Sequence, residues 1–88
     1  MNRRGKVYGN DEFAAFYRRI VRAFMRRVGD GDIEGLAELV NLANDAELAA
    51  GEAARQLVQQ GYSWADVGKV LGTSRQAAHK RFSRAVAS

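Results

Sequence analysis

The chain has 88 residues, 47% of them hydrophobic, with 14 Lys and Arg against 10 Asp and Glu, a net charge of +4, no cysteine and no proline. At this length one domain with a lean core is expected, supported by close helix packing or self-association. The missing thiols exclude a disulfide framework and a thiolate metal site, and no apolar run approaches a membrane span.

Apolar residues recur at helical rather than alternating spacing, which predicts an all-α chain, a small bundle of four to five helices. No apolar segment follows the basic residues near Met1, so no secretory signal is expected and the cytoplasm is the expected compartment. Charge is segregated along the chain: residues 1–28 carry +6, 29–60 carry −6 and 61–88 carry +4. The basic ends suit a polyanion, because Lys and Arg that neutralise phosphates release condensed counterions. The acidic middle cannot face DNA.

Residues 1–9 hold Arg3, Arg4 and Lys6 without a periodic apolar face. They read as a flexible basic arm, either solvated or able to enter a minor groove. Residues 10–60 read as helical support. Asn10 or Asp11 is placed to cap a long helix carrying the stripe Phe13, Phe16, Tyr17, Ile20, Phe24 and Val28, with Arg18, Arg19, Arg22, Arg26 and Arg27 around it and Gly29 at its end. So many rings on one helix either pack on the following helices or form a dimer seam through Phe13, Phe16, Ile20 and Phe24. A membrane-surface helix is the weaker third reading.

Asp30, Asp32, Glu34 and Gly35 have the spacing of an opening calcium loop, but Asn41 stands where the bidentate glutamate belongs. Asp32 as a helix N-cap accounts for them better. A helix from Ile33 to about Ala43 is then expected to bury Ile33, Leu36, Leu39 or Val40, and Ala43. A stretch to Gln60 would bury Leu48, Ala54, Leu57 and Val58. Asn44 and Asp45 either cap a new helix or lie on a kinked continuous one, so residues 32–60 form one helix or two. Gly61 closes this region.

Residues 61–86 carry the strongest local pattern. Ser63 and Asp66 make a capping box, flanked by Tyr62 and Val67 in the positions of a hydrophobic staple, so a helix starts near Trp64. Val67, Val70 and Leu71 give it an apolar face, and Gly72 is suited to stop it in the left-handed conformation. Thr73 or Ser74 then caps a second helix. Gly68, Ala77 and Ala78 leave room for a tight crossing. Ala78, Phe82 and Ala85 form the second helix's core stripe, with Arg75, Gln76, His79, Lys80 and Ser83 on the other face. This is the layout of a helix-turn-helix.

The run Ser63, Asp66, Val67, Gly68, then Gly72, then Ser74, Arg75 and Ala78 resembles the helix-turn-helix of bacterial sigma-70 factor region 4 and related small regulators. The tail SRQAAHKRF behind GYSW is similar to the end of small actinobacterial and actinophage helix-turn-helix proteins. The likeness covers about a third of the chain. It departs at Thr73, where an apolar turn residue is usual, and at Arg81, where an aliphatic is usual.

The resemblance and the polar face together imply a sequence-specific regulator, dimeric and nucleoid-associated, that binds double-stranded DNA. Arg75, Gln76, His79 and Lys80 would read base edges. Trp64, Lys69, Ser74, Arg81, Ser83 and Arg84 would contact phosphate. The alternatives are a module docking on RNA polymerase or a sigma factor through acids such as Glu34, Glu38 and Glu47, or a DNA-architectural or recombination accessory protein. With one histidine, no thiol and no glycine-rich phosphate loop, no enzymatic activity, cofactor or metal is expected.

Overall fold

The computed structural model describes residues 9–84, and each of its elements is a helix: α1 (Asn10–Gly29), α2 (Gly35–Gln59), α3 (Trp64–Leu71) and α4 (Arg75–Phe82). The basic arm with Arg3, Arg4 and Lys6, and Ala85 of the last stripe, lie outside the described residues. Among the described residues, no helix is long and apolar enough to cross a membrane. The chain divides into two compact units, Met1–Asn41 and Leu42–Ser88.

In the first unit, Gly9 rather than Asn10 or Asp11 occupies the N-cap of α1. The carboxylate of Glu12 takes over the capping work by accepting the Gly9 amide at 3.2 Å, which a side chain three residues into a helix can reach. Asp11 and Glu12 also place negative charge at the positive end of the helix. The chain leaves α1 at Asp30, and Asp32 closes the next turn by accepting the Gly35 amide at 3.1 Å. Asp32 thus makes a cap-like bond, but to a turn that precedes α2 rather than as the N-cap of a helix starting at Ile33.

The expected burial in this unit is only partly present, Leu39 being half-buried. α2 starts only at Gly35, so Ile33 falls in the turn and is 81% exposed, and Leu36 and Val40 are exposed as well. α1 has no buried residue: Phe16, Tyr17 and Ile20 are exposed, while Val21, Phe24 and Val28 are half-buried.

α2 runs unbroken for 25 residues. Asn44 and Asp45 lie on its exposed surface, with neither proline nor glycine there to interrupt it. In the second unit, Leu48 and Leu57 are exposed against expectation, whereas Ala54 is buried. The core of this unit is Ala54 from α2, Val67 from α3 and Ala78 and Phe82 from α4, with Val58 and Trp64 packed against it. Small side chains on α2 and α4 let the one large ring, Phe82, fill the space between them.

α3 begins and ends as its sequence dictates. The Ser63 hydroxyl accepts the Asp66 amide at 3.0 Å, and the Asp66 carboxylate accepts the Ser63 amide at 2.9 Å. At the other end Gly72 adopts φ 72°, ψ 31°, a conformation that costs glycine nothing and other residues dearly. The Thr73 amide then reaches back to the Gly68 carbonyl at 2.8 Å, a bond that satisfies a carbonyl otherwise orphaned at the helix end. Ser74, not Thr73, caps α4, accepting the Ala77 amide at 3.0 Å.

The small residues act differently from the expected crossing. A Cβ at Gly68 would lie 2.8 Å from the Thr73 carbonyl oxygen and 2.9 Å from that of Ser74. Gly68 therefore makes room for the turn itself. Ala78 is fully buried, while Ala77 faces solvent.

Candidate nucleic-acid interface

α4 is only eight residues long, too short to be stable alone, so its orientation depends on what holds it. At its start Ser74 supplies the cap. Along its buried side, Ala78 and Phe82 anchor it in the core.

Its C-terminal half is gripped by one stripe of α2, the residues Glu47, Gly51 and Arg55 at successive four-residue steps. Glu47 takes the Arg81 guanidinium in two parallel bonds, Nε to Oε2 and Nη2 to Oε1, both at 2.8 Å. Gly51 admits the Phe82 ring, whose Cδ1 would be 3.2 Å from any Cβ at that position. Arg55 Nη1 donates to the carbonyl oxygens of Phe82 and Arg84, each at 3.0 Å. A cation at the negative end of a helix that also satisfies its terminal carbonyls is favourable on both counts. Of these three residues the sequence pattern points only to Glu47, and there as an acid for protein docking rather than as a partner of Arg81. The one signal was a glycine and an arginine four residues apart inside an otherwise alanine-rich helix.

So held, α4 exposes Arg75, Gln76, His79 and Lys80. At 100° per residue, Gln76 and Lys80 point furthest from the buried Ala78 and Phe82 and His79 lies beside them, while Arg75, in the first turn, falls on the same side of the helix as Phe82 rather than on the face opposite it. The His79 ring meets Trp64 edge-on, with centroids 5.5 Å apart and planes at 83°. Trp64 is half-buried against the core, so it steadies His79 from behind.

The residues expected at phosphate are placed less uniformly. Lys69 is exposed in the last turn of α3, and Arg84 is exposed just past α4. Ser74 and Ser83 are the N-cap and C-cap of α4. Arg81 is exposed but spends its guanidinium on Glu47 and stacks 4.7 Å over the Phe82 ring. A phosphate contact from Arg81 requires that pair to open.

The electrostatics follow these bonds. Hydrogen bonding to Arg81 holds the Glu47 carboxyl below the usual carboxylate range, and the same bond raises the Arg81 guanidinium. The Ser63 amide and hydroxyl hold Asp66 low in the same way, with Lys69 adding a smaller attraction. Among the described residues, no group of three or more His, Cys, Asp or Glu could hold a metal ion.

No family model matches the chain, and no curated protein sequence or solved structure matches it either.

Proposed function

We propose that the chain is a sequence-specific DNA-binding protein, a small regulator of the kind suggested by its likeness to sigma region 4, with α4 entering the major groove. The observation that carries the reading is the rigid presentation of α4: capped by Ser74, gripped at its end by α2, buried through Ala78 and Phe82, and exposing Arg75, Gln76, His79 and Lys80. In the groove, Arg75 suits the two acceptors of guanine and Gln76 the donor and acceptor of adenine. Lys69, Arg84, Ser74, Ser83 and the amides near Trp64 serve phosphates, with Arg3, Arg4 and Lys6 as a minor-groove arm. The protein acts at the nucleoid as a homodimer joined through the exposed stripe of α1, on an inverted repeat with half-sites about one helical turn apart, or a multiple of it.

Docking on RNA polymerase or a sigma factor is the weaker reading, because Glu47, one of the acids it would use, is already held by Arg81.

Selection of binding sites from a random duplex library tests the proposal. Arg75→Ala should then cost about 1–3 kcal/mol on the selected site and little on a random duplex. Equal losses on both, or a library from which nothing is enriched, would refute base reading by α4.

A further inference from the structure

We propose that two copies of this chain pair through α1 in antiparallel orientation, with Glu12 of each copy meeting Arg27 of the other. The inference rests on the self-association reading above and is independent of what α4 binds.

Phe16, Tyr17 and Ile20 are 55%, 51% and 53% exposed. With the half-buried Phe24 they lie along one face of α1. Burying such a face is the main gain available to it. A shallow groove lined by Glu12, Ala15, Phe16 and Arg19 runs beside that face.

The two ends of the helix identify the occupant as a second copy and fix its direction. The first turn carries Asp11 and Glu12, and the last turn carries Arg26 and Arg27. A parallel pair would set Arg26 and Arg27 against their own copies and leave the acids facing acids. An antiparallel pair about a two-fold axis between Arg18 and Arg19 sets Tyr17 beside Ile20 of the second copy and each acidic end beside a basic one, so every ion pair is made twice. Of the four terminal charges, Glu12 and Arg27 fall on the same flank of the apolar stripe, and they are the pair that meets. Within its own chain, Arg27 reaches Asp32 only at 4.0 Å, and both groups are solvated. That contact is weak enough to yield.

The 88-residue chain has no cysteine, so a nitroxide on Asn10→Cys is a unique label. In the antiparallel dimer the two labels lie about 25 Å apart along the helix axis, from 1.5 Å of rise per residue. In a parallel one they lie side by side at roughly the 8–10 Å interhelix spacing plus the label arms. Sedimentation equilibrium supplies the second readout: Glu12→Lys and Arg27→Glu each weaken dimerisation severalfold, and combining them restores it.

A dimer with distant labels and the compensating charge exchange supports the proposal. A dimer with close labels, or one that Arg27→Glu strengthens, overturns the antiparallel pairing while leaving self-association standing. A chain that stays monomeric at hundreds of micromolar, including one that instead binds anionic vesicles through α1, overturns self-association itself.

Discussion

Two carboxylates in this protein, Asp66 and Glu47, are held below their usual range by hydrogen bonds, Asp66 to Ser63 and Glu47 to Arg81. A group whose folded pKa is depressed stabilises the fold above its unfolded value and loses that contribution as pH falls through the folded value. The helical signal should therefore hold from neutrality down to the ordinary carboxylate range, about pH 4, and decline below it. Replacing Asp66 with Asn should lower stability at neutral pH and flatten the acid limb of a circular-dichroism titration. An unchanged acid limb would mean that the reciprocal bonds to Ser63 contribute nothing in solution.

The turn between α3 and α4 depends on a close approach rather than on propensity. Gly→Ala inside a helix ordinarily gains about 1 kcal/mol, but at Gly68 the added methyl meets two backbone oxygens of the turn below 3.0 Å. Gly68→Ala should thus destabilise by about 1–3 kcal/mol in urea unfolding, as overpacking does. Gly51→Ala should cost less than Gly68→Ala, since its neighbours at 3.2 Å are side-chain atoms, the Phe82 ring edge and the Arg55 Nη1 that holds α4, rather than backbone oxygens nearer than 3.0 Å. Ser74→Ala should cost about 1 kcal/mol by removing the α4 cap. Stabilisation by Gly68→Ala would show that the turn is looser than described.

What was legible in the sequence divides along the same line. Ser63, Asp66, Gly72 and Ser74 were readable because capping and left-handed turns are decided within about four residues. The α2 grip was not, because Glu47 meets Arg81 across 34 positions and Arg55 meets Phe82 across 27, and no local pattern encodes such a distance. The stripes holding Ile20 and Leu48 announced apolar faces correctly, yet periodicity says nothing of what covers them, and here both residues are exposed. Gly9 has no side chain to mark it as a cap; Glu12 supplies one from inside the helix.

For the molecule as a whole, the DNA reading sets a countable charge. Of the cations on α3 and α4 assigned to phosphate, Lys69 and Arg84 remain once Arg81 is committed to Glu47. Two neutralised phosphates per protomer give a slope of log K against log salt of about −2. Glu47→Gln, by releasing Arg81, should steepen that slope by about one. A wild-type slope near zero would deprive the reading of its driving force, and an unaltered slope in Glu47→Gln would leave Arg81 with no part in it. The grip of Glu47, Gly51 and Arg55 has a further consequence, for the spelling of α2. Substitutions at Leu48, Ala49, Ala50, Glu52 and Ala53 leave the four-residue beat intact. Adding or deleting a single residue between Glu47 and Arg55 turns one contact about 100° away from the others. Over that stretch the number of residues matters more to α4 than their identity, so the helix works there as a ruler.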